Sequence, residues 1–371
     1  MWSSYAQRPH AMVKYFLDQG GESVLWVDPY PTRLPSTRDM SRRTAFPNQQ
    51  TPLLAGVSLL NPGGLPIEPI PGGAWVNKQL YHGHALKRII AFAVNPVTVG
   101  VGRPSALALY TLRALSRVAS FYDAMDDFPE FYDGLSRASM ARNEAAIAGA
   151  VDRIYASSHV LETKFAYRKD AVVSLPNACD MALLPPVYRK KDGHIVFGYI
   201  GTIGTWFDWD IVIELARAVP EAEVHLVGPC FSPPQFELPR NVQLYGPCQL
   251  TEIGEYLQRF SVGLIPFKNT HLTASVDPIK YYEYRGMGLP ILSTSFGNMT
   301  QRGRSQGVFL IDHGKDLSAV AGEALGWSPC FDDVAEIRRK NDWNVRFARA
   351  HLFDDLMTVP IHTLSNEVFR E

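Results

Sequence analysis

The chain has 371 residues, of which 46% are hydrophobic and 20% charged, so we expect a globular protein long enough for two domains. The formal net charge of −1 argues against a general nucleic-acid binder, which needs a basic face to neutralise phosphates. The four cysteines show no CxxC spacing, which is typical of reduced thiols. The longest apolar candidate, Ile89–Val101, is too short for a membrane span, and the first residues lack the apolar core of a signal peptide. These features predict a cytoplasmic location.

Short apolar runs alternate with amphipathic helical stretches, a pattern typical of parallel α/β sheets. In the first half the predicted strands are Ser23–Asp28, Ala55–Leu60, part of Phe92–Val101, Ala119–Tyr122, Arg153–Ala156 and Ala171–Leu175. In the second half they are Ile195–Ile200, Glu223–Val227, Val242–Tyr245, Val262–Ile265, Pro290–Ser293 and Val308–Ile311.

Between the halves, Met181–Gly193 contains two prolines and a charged stretch, as a linker would. We therefore predict a doubly wound, Rossmann-like domain over residues 1–182 and a second one over 193–335. Residues 336–371 are predicted to end in a helix that packs back on the first domain. Two such domains would face each other across a cleft, because ligands bind beyond the carboxyl ends of parallel strands.

The first polar motif in the chain, Gln7-Arg-Pro-His10, lies where the first helix begins. Arg8 and His10 are predicted to point over the cleft. A surface loop with Pro9 at the first helical position is the alternative, and the two interpretations are equally weighted.

Three aspartates lie within five residues in Phe121-Tyr-Asp-Ala-Met-Asp-Asp127, where a strand runs out into a loop. A carboxylate at a strand's carboxyl end could deprotonate an attacking hydroxyl. The alternative is one aspartate that caps a helix and another that is solvated. We predict Asp126 as a general base, with Asp127 in reserve and Asp123 structural.

Glycines recur in Tyr199-Ile-Gly-Thr-Ile-Gly204, between a predicted strand and a helix that begins near Trp209. Glycine lets the backbone approach a diphosphate, and a helix start supplies N–H donors for an anion. Gly201, Thr202 and Gly204 are therefore candidate residues for binding the diphosphate of a nucleotide. A plain turn with glycine for geometry is the alternative.

The segment Asp277–Thr294 predicts a loop, a helix, a glycine turn and a buried strand. Lys280 lies near the start of that helix, where its charge would add to the anion site. Glu283, one turn along the same face, could accept two ribose hydroxyls. Together they match a nucleoside diphosphate, although most such pairs are solvated.

Metal binding is not predicted. Asp208-Trp-Asp210 matches the DxD pattern, but aspartate is expected at a helix start in any case. His82-Gly-His84 lacks further spaced ligands. The basic segment Arg33–Arg43 could lie against an anionic membrane surface, with a solvated loop as the alternative.

Taken in order, these segments resemble the GT-B glycosyltransferases, and among them the bacterial family-4-like enzymes of cell-surface polysaccharide assembly. Asp277-Pro-Ile-Lys-Tyr-Tyr-Glu283 through Pro290 carries the most specific match. Further matches are Arg8-Pro-His10, Tyr122–Phe128, Asp152–Ser158 with Leu175–Asp180, and Gly198–Gly204. Many members have a glutamate eight residues before the equivalent of Glu283, where this chain has Ser275.

The resemblance implies a nucleotide-sugar donor held by the second domain, with Glu283 at its ribose and Lys280 at its phosphates. It implies a glycan or lipid-linked glycan acceptor held by the first domain, where Arg8 and His10 are predicted to contact it. It also implies no required metal or other cofactor. The predicted function is transfer from a nucleoside diphosphate sugar, UDP ahead of GDP, in polysaccharide biosynthesis. A GT-B sugar-nucleotide epimerase and a non-catalytic nucleotide-binding or glycan-binding scaffold are the alternatives.

Overall fold

The structure, a computed structural model, describes residues 2, 8–35, 52–94, 96–185, 193–249 and 252–354. The described residues fall into two units. The first unit runs to Pro176 and takes up the chain again from Phe347, and the second contains Asn177–Arg346. The sequence predicts that the first domain ends at residue 182, whereas residues 177–182 group with the second unit, together with residues 183–185 of the predicted linker. The predicted membrane-contact segment lies mostly outside the described residues.

The first unit is built on parallel strands. A pair, β1–β2, lies beside a four-stranded sheet of order β3-β4-β5-β6. The central strand β4 is almost wholly buried, as a strand covered on both sides must be, although it contains the polar residues Ser120 and Asp123. The strands are β1 Val24–Val27, β2 Val57–Leu60, β3 Thr98–Val101, β4 Ala119–Ala124, β5 Arg153–Ala156 and β6 Val172–Ser174.

Helices connect these strands, and a single π-helical turn, Lys78–His82, joins two of the helices. Ser105 and Ser158 cap the starts of α4 and α6 by accepting backbone N–H bonds. The helices are α1 Arg8–Asp18, α2 Gly73–Asn77, α3 Gly83–Phe92, α4 Ala106–Ala114, α5 Gly134–Ala150 and α6 His159–Lys164. Short 3₁₀ helices cover Phe128–Phe131 and Ala166–Ala171.

The second unit contains a six-stranded parallel sheet of order β12-β11-β10-β7-β8-β9. The chain winds outward from β7 in one direction and then restarts at β10 on its other side, so the order reverses between these two strands. The strands are β7 Val196–Ile200, β8 Glu223–Val227, β9 Val242–Tyr245, β10 Val262–Ile265, β11 Ile291–Thr294 and β12 Val308–Ile311.

Strands and helices of the second unit enclose one large apolar core, centred on β7, β10 and β11. The helices are α7 Trp209–Ala218, α8 Ile253–Arg259, α9 His271–Ala274, α10 Ile279–Gly286, α11 Leu317–Gly326, α12 Phe331–Lys340 and α13 Trp343–Arg349. Short 3₁₀ helices cover Met181–Leu183, Gly297–Gln301 and Arg304–Gln306.

The last described residues pack on the first unit through aromatic side chains. The Phe347 ring lies 5.4 Å from that of Tyr15, and the Phe353 ring lies 5.3 Å from that of Phe16. Phe347 is fully buried. Helix α13 therefore begins within the second unit and ends on the first.

The predicted fold class is confirmed: the protein is α/β, and each predicted strand is present near its expected position and pairs in parallel. No helix in the described ranges is both long enough and apolar enough to span a lipid bilayer.

Candidate functional site

The glycine loop of the second unit begins at Gly201, directly after β7 and therefore at the point where the strand order reverses. Gly201 has φ +151°, which side-chain-bearing residues rarely adopt. A Cβ atom there would lie 2.9 Å from Cε of Lys280. The structure thus brings together two residues that the sequence separates by almost eighty positions, with a glycine backbone against a lysine side chain.

The remainder of the loop is fixed by its own contacts. The Tyr199 hydroxyl donates to the Thr202 carbonyl at 2.8 Å, and the Ile203 amide donates to Pro229 at 2.9 Å. Gly204 faces the Trp206 ring, which a Cβ would meet at 2.5 Å. Gly204 is therefore explained by packing against tryptophan.

One of the chain's own side chains caps the start of helix α7. The Asp208 side chain caps it by accepting from the Ile211 amide at 3.3 Å. The cap uses one of the N–H groups that the sequence predicts this helix start to offer to a diphosphate, so contact of the remaining groups with a diphosphate stays a prediction.

Helix α10 begins differently, with Pro278 at the N-cap and no side-chain cap. Nζ of Lys280 lies 3.1 Å from Oε2 of Glu283, and the two side chains are 22% and 15% exposed. An uncapped helix start beside a lysine suits an anion, because the unpaired N–H groups and the lysine ammonium both supply positive charge. The predicted pair is thus assembled and partly buried.

A network that sequence reasoning missed fixes the start of α10. The fully buried Asp277 carboxylate accepts from the Tyr282 hydroxyl at 2.7 Å and from Arg302 at 2.6 Å. It also accepts from the Asn177 amide at 2.8 Å, and the Asn177 side chain donates to the Asp277 carbonyl. The network holds the helix that carries Lys280 and Glu283. Only the position of Asp277 at the head of the motif could have signalled this role.

Ser275 does not supply the chemistry of a glutamate. It is 1% exposed, and its hydroxyl donates to the Leu272 carbonyl at the end of α9. Position 275 therefore provides no second carboxylate beside Glu283.

The acidic segment of the first unit follows β4. The Ser157 hydroxyl donates to the Met125 carbonyl at 2.8 Å, and the Ser157 amide donates to Ala124 at 3.1 Å. Because β4 and β5 are parallel, their carboxyl ends lie at the same edge of the sheet, and Ser157 after β5 therefore fixes the start of the loop that follows β4. Asp126 and Asp127 are thus held at the carboxyl ends of the strands, as predicted from the sequence.

Asp123, predicted to be structural, forms a buried ion pair with Arg8. Their closest atoms are 2.7 Å apart, and Arg8 also donates to the Leu175 carbonyl at 2.6 Å. Burial outweighs the arginine and raises the pKa of Asp123. The pair ties the start of α1 to the ends of β4 and β6.

Asp127 is committed to a second ion pair. Nζ of Lys164 lies 2.7 Å from Oδ1 of Asp127 and also contacts Glu144, which accepts from the Tyr122 hydroxyl at 2.9 Å. Asp127, Glu144 and Lys164 line a cavity of about 300 Å³ within the first unit. Lys164 lies in no motif that the sequence singled out, so its role could not be predicted.

Asp126 differs from both neighbours. Within the described residues its carboxylate has no hydrogen bond or ion pair, and part of the side chain remains exposed. Loss of hydration, together with the charges of Asp123 and Asp127, raises the pKa of Asp126 to about 7 despite Arg8. A carboxylate with a pKa near the working pH and a free lone pair is suited to take a proton.

Arg8 and His10 are both buried within the first unit instead of turned outward. Nε2 of His10 lies 3.1 Å from the Trp2 carbonyl, and the His10 ring lies 4.9 Å from those of Trp2 and Trp26. Burial lowers the pKa of His10. Their outward orientation is therefore corrected, and an acceptor-binding role for either stays a prediction.

Metal ligation finds no support in the side chains that the structure describes. No group of three or more histidine, cysteine, aspartate or glutamate residues among them could hold an ion. Asp208 instead caps a helix, and His82 packs its ring 4.4 Å from that of Tyr30.

Comparison of the sequence with known proteins gives one partial relative. No protein-family profile matches the chain. Over 176 residues it is 28% identical to TuaH of Bacillus subtilis strain 168, named as a teichuronic acid biosynthesis glycosyltransferase. The match covers 43% of each protein, so the chain spans less than half the length of this relative.

Solved structures match the fold over most of the chain at low identity. AviGT4, a glycosyltransferase involved in avilamycin A biosynthesis, is 12% identical with a TM-score of 0.60, covering 96% of this chain and 92% of its own. Sucrose-phosphate synthase from Thermosynechococcus elongatus is 12% identical with a TM-score of 0.57, covering 74% and 77%. Anabaena HepE, solved with UDP and glucose, is 14% identical with a TM-score of 0.56, covering 82% and 86%. The chain therefore has the GT-B fold of glycosyltransferases, with two Rossmann-like domains.

Proposed function

We propose that the protein is a glycosyltransferase that moves a sugar from a nucleoside diphosphate donor, UDP ahead of GDP, to a glycan or lipid-linked glycan in polysaccharide assembly. The observation that carries this proposal is the contact of Gly201 with Lys280 beside Glu283, at the reversal point of the second sheet. Ligands of doubly wound sheets bind at such points. The names of TuaH and of the UDP-bound HepE structure support the substrate class.

The donor's diphosphate would lie against Gly201 and Thr202 with Lys280 as its counter-charge. The ribose hydroxyls would donate to Glu283. The Lys280–Glu283 ion pair would then be replaced by two contacts with the donor, one from Lys280 to the diphosphate and one from Glu283 to the ribose. Lys280 and the uncapped start of α10 provide the positive charge that the leaving diphosphate needs. We accordingly propose that no metal or other cofactor is required.

Asp126 would be the general base. Its carboxylate takes the proton of an acceptor hydroxyl, and the resulting oxygen attacks the anomeric carbon. The bond from that carbon to the diphosphate breaks, and its electron pair leaves on the phosphate oxygen. Attack opposite the leaving group inverts the anomeric configuration. Asp127 is less suited, because Lys164 already binds its carboxylate.

The proposed site of action is the cytoplasmic face of a membrane. There an acceptor on a lipid carrier and a soluble nucleotide sugar would meet. The expected acceptor is therefore amphiphilic, with its sugar end bound by the first unit.

The experiment is a thermal-shift screen of UDP-sugars and GDP-sugars, followed by product analysis. A ligand that binds only the folded state raises the melting temperature. Release of UDP that depends on a glycan acceptor and survives chelation of metals would support the proposal. Isomerised nucleotide sugar without acceptor would indicate an epimerase, and tight binding without turnover would indicate a scaffold.

A further inference from the structure

A stretch of the first unit carries positive charge without any negative charge. Between Glu68 and Asp123 the sequence contains no aspartate or glutamate but six lysines and arginines, although the whole chain has 36 basic and 37 acidic residues. Arg103 is held internally by Thr32 and Tyr132. The other five are exposed: Lys78, Lys87, Arg88, Arg113 and Arg117.

Large apolar side chains share the same surface. Trp75 and Leu80 are each 63% exposed, and Tyr81 is exposed beside them. One strip of the segment α2–π turn–α3 faces the core: Gly73, Asn77, His82, Ala85 and Ile89. The residues midway between these are Trp75, Leu80 and Lys87, so they point away from the core.

The π turn makes this arrangement continuous. The buried positions Asn77 and His82 are five residues apart, where an α-helix would space them by three or four. The extra residue lets one side of the segment stay buried from Gly73 to Ile89. The opposite side keeps its apolar and basic residues in one strip.

The strip extends onto a second helix. Nζ of Lys78 lies 5.2 Å from the centre of the Tyr110 ring on α4, and the Tyr110 hydroxyl donates to the Ala74 carbonyl at 3.4 Å. Arg113 lies one turn further along α4. Basic side chains from two helices thus border the same apolar strip.

We propose that this basic–aromatic face, the exposed side chains of Trp75, Lys78, Leu80, Lys87 and Arg88, docks on an anionic membrane surface. Tryptophan and leucine would enter the headgroup region while lysine and arginine contact lipid phosphates. A bilayer needs no shape complementarity, which suits residues on the outer side of a helix. The inference deepens the proposed function by naming the surface that would meet a lipid-linked acceptor.

The test is co-sedimentation with vesicles at 0.15 M salt, a condition under which weak surface electrostatics are screened. The full chain should bind vesicles of mixed phosphatidylglycerol and phosphatidylcholine and leave pure phosphatidylcholine vesicles largely unbound. The double variants Trp75→Ser/Leu80→Ser and Lys87→Glu/Arg88→Glu should each weaken binding at least about tenfold.

Matched controls lie in the second unit. Phe236 and Phe331 are 54% and 72% exposed, and Arg240 and Arg339 are also exposed, so Phe236→Ser/Phe331→Ser and Arg240→Glu/Arg339→Glu remove the same chemistry elsewhere. They should bind vesicles as the unaltered chain does. Circular dichroism would verify folding, which these surface changes should leave intact.

Two results would overturn the inference: absence of binding to anionic vesicles, or equal binding by the face variants and the controls. UDP binding, measured without vesicles, reports on the proposed function separately, so either proposal can fail alone.

Discussion

The two units hold their candidate chemical groups in different electrostatic states. In the second unit Lys280 and Glu283 already neutralise each other beside Gly201. In the first unit Asp123 and Asp127 each have a cation, while Asp126 between them forms no ion pair with any residue that the structure describes, and its pKa rises to about 7. The charged side chains of a binding site can be paired with each other until a ligand replaces one of the partners. A proton acceptor must remain unsatisfied in order to react.

The largest effect is expected for Asp126→Asn. If Asp126 is the base, sugar transfer should fall by about 10²–10⁴-fold while UDP affinity stays unchanged. Kinetics with a UDP-sugar and acceptor, together with UDP titration, provide the measurement. Transfer at a near-normal rate, or a product that retains the donor's anomeric configuration, would contradict the assignment.

The pH dependence of transfer tests the same difference. A base must be ionised, so kcat/KM should rise with pH and level off above about pH 7, the pKa of Asp126. At pH 5 the rate should be about a hundredfold below the plateau, because each pH unit removes nine-tenths of the ionised form. A flat profile between pH 5 and 8 would rule Asp126 out as the base.

Glu283→Gln tests the donor site of the second unit. The amide keeps the shape but loses the charge that should accept ribose hydroxyls, so UDP binding should weaken by about 1–3 kcal/mol. Calorimetric titration with UDP and GDP would measure it. Glu221→Gln, an exposed position in the same unit, serves as the control and should bind normally. Equal affinity in the two variants would remove Glu283 from the site.

The smallest effect is on stability and needs no substrate. Folded Asp126 keeps its proton up to about pH 7, whereas the unfolded carboxyl loses it near 3.8, so ionisation opposes folding increasingly between these values. Asp126→Asn should therefore stabilise the protein by about 1–2 kcal/mol at pH 8 and by less at pH 5, allowing for its partial exposure. Urea unfolding at both pH values measures this. Destabilisation at pH 8 would show that the carboxylate has a partner.

The two candidate sites also differ in how far the sequence could predict them. In the second unit Lys280 and Glu283 lie in one contiguous segment, and Gly201 directly follows a strand. Short-range patterns of apolar runs and turns were sufficient to predict the position of that segment and of that glycine. All strands were predicted for the same reason. The distinction among the three aspartates depends on Arg8 and Lys164, which lie far away in sequence. No local pattern carries that information.

Packing explains the remaining differences. Arg8 and His10 belong to a motif but are drawn into the interior by Asp123 and by two tryptophans. Asp208 and Gly204 have local structural partners that only coordinates reveal. A motif therefore predicted where the chain passes near a site more reliably than it predicted which side chains face it.

The link between Asn177 and Asp277 bears on how the protein could be divided into fragments. Residues 177–185 contribute Met181 and Leu184 to the second core, and Arg338 donates to the carbonyls of Met181 and Pro185. A donor-binding fragment that starts at residue 193 would leave the Asp277 carboxylate short of a donor and Arg338 short of acceptors. Chimaeras that exchange donor specificity between related enzymes should accordingly be joined at Pro176. That position lies ahead of Met181–Gly193, the proline-containing segment that the sequence predicts as the linker.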